Sequence, residues 1–438
     1  MEIVGTSSSD QQIMDRSHEV SLDINEIATS LKDQLKTKKV FSSTCCIYRV
    51  PETLRESNDK AYTPRVVSIG PLHHGKENLK AMEDYKIMYL RQFLEWSEVS
   101  VEDLINVVRD NETELRDSYA ETIDLSRNDF ATMILLDAVF VIMVLLKDNG
   151  EGVSDEIESG DQIFFRPFKI DDVVFDMCLL ENQLPFFFLE ELFKLYPKDC
   201  TIMELTFKLL QPWQHYWVKE DIRGEIDSSG VLHFVDFLRK CQQPTKQHPP
   251  AKKPTFTRAP KAMELHQSGV KFKNPEKNSL FDITFSNGIL EIPQLTMYGY
   301  TEFLFRNLQA FEQCHHRYEE KFVSDYIAFF SFLIRAPNDV EVLARNDNLK
   351  NMLNSDEAVS NLFYNLDKEN VVSENSFLWG VCDELTSHCR KRRHRWKATL
   401  KQVYFNNPWT AISVAAAAFL LMLTVIQTVC SILQVKNM

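Results

Sequence analysis

The chain has 438 residues, and its formal net charge is −14. Residues 390–438 hold eight Lys/Arg and no Asp/Glu, so residues 1–389 hold 41 bases against 63 acids, a net charge of −22. A body this acidic excludes the usual electrostatic mode of nucleic-acid binding, and the nine dispersed cysteines are typical of free thiols in a reducing compartment.

The first half of the chain predicts mainly helices. Residues 1–20 are polar and predict a disordered N-terminus. Two stretches, residues 45–51 and 163–170, have short apolar patterns that predict strands, and the proline- and glycine-punctuated residues 63–75 predict an ordered loop. An amphipathic helix is predicted from apolar residues spaced by three and four: Ile24, Ile27, Leu31 and Leu35.

A long apolar run follows Ser126, which begins a helix-capping signature with Asp129. Asp137 interrupts this run, so it predicts a buried central helix rather than a membrane span. The densest apolar stretch, residues 176–196, contains Pro185 and predicts two helices with the proline in the first turn of the second.

The second half begins after residues 241–260, which contain five prolines and predict a linker or loop. It separates a first helical part, residues 21–240, from a second part, residues 261–389. Alternating residues on both sides of Asn287-Gly288 predict a β-hairpin over residues 280–293. The remaining pattern predicts helices over 301–315, 323–336, 339–353 and 356–366.

Residues 410–433 are uncharged and predict a transmembrane helix, since 24 residues span about 36 Å. The preceding juxtamembrane segment, residues 390–409, is basic, and the positive-inside rule therefore places the body in the cytoplasm. We expect a tail-anchored, single-pass protein, with the plasma membrane favoured. The membrane flank consists of Arg390, Lys391, Arg392, Arg393, Arg395, Lys397, Lys401 and Trp409.

Two histidines, His73 and His74, are the strongest catalytic candidates, because adjacent histidines in a rigid loop could bind a metal or transfer protons. Structural hydrogen bonding is the favoured alternative, since neighbouring side chains in an extended loop point apart. Glu181 could act as an acid or base in its apolar surroundings, but the Glu181-Asn182-Gln183 trio is more typical of helix capping.

Two further groups have metal-binding residue types without the spacing of a metal site. Cys314, His315 and His316 are consecutive on a predicted helix and diverge around its axis. The second group lacks the CxxC spacing of zinc sites, and consists of Cys382, His388, Cys389 and His394. No nucleotide-binding or hydrolase motif is present, so we predict no catalytic, cofactor-binding or metal-binding residue and no enzymatic activity.

Several blocks resemble the plant family called "domain of unknown function 247", in order and spacing, from about residue 45 to the C-terminus. Among them are IYRVPETLR, AYTPRVVSIGPLHHG, LLENQLPFF, LEIPQLTMYGYTEFLFRNLQAFEQC and NPWTAISVAAA. The resemblance implies a plant membrane-associated protein with a helical body and one C-terminal span. Because some grass relatives are associated with self-incompatibility, it also implies recognition or signalling. It implies no cofactor or catalytic residue.

The sequence therefore predicts a mainly α-helical protein with short strands and one hairpin, anchored by a C-terminal helix. We expect an interaction or signalling protein that contacts membrane lipid through its anchor and basic flank, and protein partners through its acidic body. Two alternatives are an enzyme of unrecognised type using His73 and His74, and a cell-surface recognition module with the body outside. For the latter, the sequon at Asn111 would become a glycosylation site.

Overall fold

The computed structural model describes residues 24–33, 35, 42–150, 161–165, 167–196, 199–213, 226, 230–245, 259–275, 279–372, 376–390 and 408–436. The predicted disordered N-terminus lies outside these residues, as do positions 246–258 of the predicted linker. Of the predicted membrane flank, Arg390 and the backbone of Trp409 are described. Its other residues, Lys391, Arg392, Arg393, Arg395, Lys397 and Lys401, lie outside the described chain.

The described chain is mainly helical, as predicted. The helices before residue 245 are α1 Glu52–Arg55, α2 Glu83–Ser97, α3 Val101–Asp110, α4 Glu112–Asp117, α5 Arg127–Asp148, α6 Gln162–Phe165, α7 Pro167–Met177, α8 Phe186–Phe193, α9 Ile202–Trp213 and α10 Phe234–Cys241. Those after residue 259 are α11 Ala262–Gln267, α12 Thr301–His315, α13 Phe322–Leu333, α14 Pro337–Arg345, α15 Asp356–Asp367, α16 Phe377–Arg390 and α17 Pro408–Lys436. Residues 24–33 are also helical.

Helix α5 is the centre of the first half, and it begins at the predicted cap. The Ser126 hydroxyl oxygen accepts a hydrogen bond from the Asp129 amide at 3.1 Å, which satisfies one of the free N–H groups at the helix start. Helices α2, α3 and α9 pack around α5. Among the described residues, α5 is the one helix long and apolar enough to cross a membrane, but most of its length is buried inside the protein. The prediction of a buried central helix is confirmed.

Buried apolar residues on both sides of residues 241–260 form one continuous core. The cluster extends from Val50 through α5 and α10 to Leu385 in α16. Helix α10 packs on α12, which brings the end of the first half against the second. The boundaries that the sequence predicts at 241–260 remain a prediction, but the two sides share their hydrophobic interior.

Among the described residues, five short strands form two small sheets. The predicted hairpin is confirmed: β2 Thr284–Ser286 pairs antiparallel with β3 Ile289–Glu291. Both turn residues, Asn287 and Gly288, have positive φ values, as a type I′ turn requires. The sequence did not predict the other strands. They are β1 Lys271–Lys273, parallel to β3, and β4 Leu295–Met297, parallel to β5 Leu349–Asn351. The helix predicted over 339–353 is therefore too long, because α14 ends at Arg345 and residues 349–351 form β5.

The predicted strand over residues 163–170 is wrong. Residues 163–165 lie in α6 and residues 167–170 in α7, so the described residues of this stretch are helical. The strand predicted over residues 45–51 is reduced to one bridge, in which Ile47 pairs with Tyr119. A single pairing forms there because Tyr119 lies in the loop directly after α4, and that loop does not run alongside the rest of residues 45–51.

The residues between α7 and α8 leave the helical path, as Pro185 predicts. Helix α8 begins at Phe186, and Pro185 occupies the capping position one residue earlier than the sequence indicates. Residues 178–185 therefore form a buried connection, and it lies against the loop at residues 65–74 that the sequence predicted to be ordered.

The C-terminal helix α17 contains the whole of residues 410–433. Its described side chains are exposed, and the larger apolar ones between Phe419 and Val429 have relative exposures of 47–67%. The described apolar stretch, Ala416–Cys430, is shorter than a membrane span. What covers these side chains is therefore a question about function.

Candidate functional site

The fold brings together two of the three residues that the sequence selects for chemistry. The imidazole nitrogen Nε2 of His73 lies 3.0 Å from a carboxylate oxygen of Glu181. His74, the third candidate, has an exposed side chain. The prediction that the two histidines diverge is confirmed. The two side chains are in contact, but the oxygen lies outside the direction of an imidazole hydrogen bond.

Two arginines and a backbone amide complete the surroundings of Glu181. The Val50 amide donates to the carboxylate at 2.6 Å, and the guanidinium of Arg55 pairs with the same oxygen. The guanidinium of Arg49 lies 3.6 Å from the other oxygen and also binds Glu121 at the surface. Residues 49–55 are thus fixed to the α7–α8 connection through one carboxylate.

The charges in this network favour an ionised Glu181 and a neutral His73. Burial raises the pKa of Glu181, but the contacts from His73, Arg55 and Val50 outweigh it and hold the pKa below its usual range. Burial lowers the pKa of His73, and Glu181 opposes this only in part. A neutral imidazole beside a carboxylate is the pairing of a general base with its orienting group.

The burial of His73 and Glu181 limits the chemistry that they can perform. His73 and Glu181 are each 1% exposed, and neither lines the cavity described below. A general base must come within hydrogen-bond reach of the proton that it removes. The geometry instead suits a structural clamp that holds the loop at residues 65–74 against the α7–α8 connection.

In the rest of that loop, side chains accept hydrogen bonds from the backbone amides that a neighbouring strand would bind in a sheet. The carboxylate of Asp176 accepts from the amides of Arg65, Val66 and Val67 at 2.8–2.9 Å. The side chain of Asn182 accepts from the Ile69 amide at 2.7 Å. Burial raises the pKa of Asp176 to about 6, while the three amides lower it. Backbone groups that would otherwise be buried without partners are satisfied in this way.

Gln183 performs the capping role that the sequence predicts for the trio. Its amide nitrogen donates to the carbonyls of Met177 and Leu179, where α7 ends, at 2.6 and 2.7 Å. Its oxygen accepts from the amide of Phe234 at the start of α10, at 3.0 Å. One side chain thereby caps two helices, and the capping interpretation is confirmed for Gln183.

Gly70 lies where the loop comes closest to the connection. Its φ is +75°, and a Cβ atom there would lie 2.5 Å from the Gln183 carbonyl oxygen. Its amide donates to the carboxylate of Asp137 at 2.8 Å. Asp137 in turn pairs with the ammonium of Lys86 at 2.6 Å, and both side chains are fully buried. The charge that interrupts the apolar run of α5 therefore ties α2, α5 and this loop together.

The two candidate metal groups are dispersed. His315 contacts the Tyr48 hydroxyl at 2.9 Å, whereas His316 lies 3.2 Å from the carboxylate of Glu320. In the second group, Cys382, His388 and Cys389 lie on α16, and His394 is outside the described residues. Within the described part of the chain, no three His, Cys, Asp or Glu side chains are placed to hold a metal ion.

A cavity of about 220 Å³ lies between α7 and α12, and the sequence did not indicate it. Arg65 extends across its edge, with its guanidinium 3.8 Å from the ring centre of Phe175 and 5.0 Å from that of Phe303. Two consecutive acids, Asp171 and Asp172, line the same side. The signal in the sequence is this acidic pair, but α7 also contains Lys169 and Asp176, and charged residues on a helix are by themselves typical of a solvated face.

Comparison with known proteins identifies the family. The sequence model of the DUF247 family, described as "Plant protein of unknown function", matches residues 47–423. The chain belongs to this family. The resemblance predicted from the sequence blocks is confirmed, and the match includes the clamp, the cavity and the first half of α17.

Two Arabidopsis thaliana proteins are similar over nearly their whole length. The chain is 30% identical to UPF0481 protein At3g47200, over 90% of this chain and 87% of that protein. It is 22% identical to putative UPF0481 protein At3g02645, over 92% of this chain and 93% of that protein. No solved structure matches the chain. Membership of the DUF247 family thus indicates a plant protein and assigns no activity to it.

Proposed function

We propose that this DUF247 protein is a membrane-anchored interaction protein whose C-terminal helix crosses the bilayer. The observation that carries the proposal is the exposure of α17: its described side chains from Ala416 to Cys430 are uncharged and exposed. A contiguous apolar surface of this kind is unfavourable in water, whereas a bilayer core stabilises it. The 24 uncharged residues 410–433 supply the length that a span needs.

The proposed orientation places the body in the cytoplasm. Seven basic residues between Arg390 and Lys401 precede the span, and Lys436 alone follows it. The positive-inside rule favours the basic side in the cytoplasm, where this segment would contact anionic lipid. The acidic body favours basic protein partners, and residence at a membrane raises their local concentration. The plasma membrane remains the favoured site.

Burial weighs against the enzyme alternative, because a substrate would have to displace the clamp to reach His73. The outward-facing alternative is tested at the Asn111 sequon. The side-chain amide of Asn111 donates to the Val107 carbonyl at 2.8 Å at the junction of α3 and α4. A glycosylated amide keeps one N–H for this bond, so a glycosidase-sensitive mass shift at Asn111 would support a body that faces outward.

The anchor is tested by comparing the full chain with a chain ending at residue 407, both expressed in plant cells. We expect the full chain to stay in the membrane fraction after carbonate extraction and the shortened chain to move to the soluble fraction. A split fluorescent protein fused to either end tests orientation, with complementation in the cytoplasm expected for the N-terminal fusion alone. Equal partitioning of both chains would contradict the anchor, and cytoplasmic complementation at the C-terminus would contradict a crossing.

A further inference from the structure

The cavity between α7 and α12 has an apolar floor and a charged rim. Val174, Leu179 and Leu304 are buried in its floor. The rings of Phe175 and Phe303 meet edge to face at 4.9 Å and are partly exposed. The cavity is partly open to solvent, so an elongated apolar group could enter from the surface with its polar end remaining at the rim.

The charges at the rim favour a cation. The Arg65 guanidinium is matched by the carboxylate of Asp172 at 3.2 Å and rests on the two aromatic rings. Asp171 makes no ion pair or hydrogen bond within the described part of the chain. Its pKa is raised by burial and by neighbouring Asp172, as expected for a carboxylate that lacks a compensating positive charge. The rim therefore carries one unmatched negative charge.

We propose that this cavity binds a basic side chain of a polypeptide partner. The aliphatic stem of a Lys or Arg would pack on Leu304 and the partly exposed rings, and its charged group would pair with Asp171. A basic residue fits the charge of the cavity and that of the body, whose net charge is −22 over residues 1–389. The inference deepens the proposed function, because it requires that the partner be a protein.

The test uses the full chain in detergent micelles and three fluorescein-labelled decapeptides. The peptides share a Leu-X-Leu centre in a Gly/Ser background, with Arg, Gln or Glu at X. We expect the Arg peptide to bind most tightly, by fluorescence anisotropy, and Asp171→Asn to weaken that binding about tenfold, the usual effect of losing a charge-assisted hydrogen bond. Asp110→Asn, which removes an exposed acid at the end of α3, is the matched control and should leave binding unchanged.

Each result bears on the proposal. Preference for the Arg peptide that is lost in Asp171→Asn and kept in Asp110→Asn supports it, provided that the melting temperatures of the variants match that of the unchanged chain. Equal binding by both variants, tighter binding of the Glu peptide, or no binding of the Arg peptide overturns it. The outcome does not depend on a bilayer, so it is distinguishable from failure of the membrane anchor.

Discussion

Helices α5 and α17 are similar in composition and opposite in surroundings. Both are long and apolar, but α5 is enclosed by α2, α3 and α9, whereas the described side chains of α17 are exposed. The two helices also differ in charge: α5 contains Asp137, which pairs with Lys86 and with the amide of Gly70, whereas residues 416–430 of α17 are uncharged. A charge within an apolar helix thus indicates specific partners inside the protein, whereas the uninterrupted apolar run of α17 is the basis of the membrane proposal.

The largest expected effect comes from removing the charge in α5. Asp137→Leu removes the buried carboxylate that pairs with Lys86, which keeps Glu83 at 2.6 Å, and leaves the Gly70 amide without its acceptor. We therefore expect the free energy of unfolding to fall by about 3–4 kcal/mol. Urea unfolding of the full chain in micelles, followed by circular dichroism, measures the change. The Lys86→Met/Asp137→Leu double variant removes both charges and should recover part of the loss, since the Gly70 amide still lacks an acceptor. A single variant as stable as the unchanged chain would show that the pair does not hold α5.

The reverse change places a charge in the middle of α17. Leu421→Arg should oppose membrane insertion by about 2.5–3.5 kcal/mol, the usual cost of a charge at the centre of a span. The measurement is the fraction of protein retained after carbonate extraction. Val435→Arg lies beyond the predicted span and should be retained like the unchanged chain. Full retention of Leu421→Arg would indicate that the helix does not cross the bilayer.

The loop that packs on Asp137 gives a third comparison. Gly70→Ala combines a left-handed backbone with a clash against the Gln183 carbonyl, and we expect it to lower the free energy of unfolding by about 2–3 kcal/mol. Gly75→Ala is the matched control, since Gly75 has a φ of +78° with open space around it. It should cost about 1 kcal/mol, the strain alone. Similar costs for both would show that the close approach at Gly70 contributes little.

The smallest expected effect is a pH dependence that belongs to the body and not to α17. Burial lowers the pKa of His233 to about 4, so the folded protein keeps this residue neutral while the unfolded chain protonates near pH 6.5. The stability it contributes is present above pH 6.5 and is lost as the pH falls towards 4. Between pH 7.5 and 5 the loss is about 2 kcal/mol.

His233→Asn isolates this effect, because an asparagine side chain can still accept the hydrogen bond from the Asp236 amide at the start of α10. Thermal unfolding at both pH values should show a steeper loss for the unchanged chain than for the variant. The raised pKa of Asp176 acts in the opposite direction, but it contributes equally to both slopes. Its contribution therefore cancels in the difference between them. Sedimentation of membranes without carbonate treatment should recover the same fraction of the protein at both pH values. Parallel slopes would mean that His233 is not the titrating group.

Local signals predicted the parts of this fold that depend on a few neighbouring residues. Ser126 caps the helix that it precedes, and Asn287-Gly288 forms the hairpin turn. The strand predicted over residues 163–170 failed because a short apolar run is compatible with a helix as well as with a strand. The pairing of β4 with β5 joins residues far apart in sequence, and no local pattern encodes such a contact.

The candidate site shows the same division. The sequence selected His73 and Glu181 separately, because each is a titratable residue in unusual surroundings, but it could not show that they are neighbours. Arg49 and Arg55 were missed, since a surface and a buried arginine look alike in sequence. The cavity was also missed, because its walls come from α7 and α12, which only the fold brings together.

Several hydrogen bonds of the body join residues that are far apart in the sequence, and this separation has a consequence for the protein's synthesis. The Asn307 side chain accepts from the Leu180 amide and donates to the Ala61 carbonyl, 246 residues away, and Tyr48 bonds His315 across 267 residues. A ribosome must therefore deliver α12 before the first hundred residues can reach their final packing. Until then the face of α10 that packs on α12 is open to chaperones and to other nascent chains.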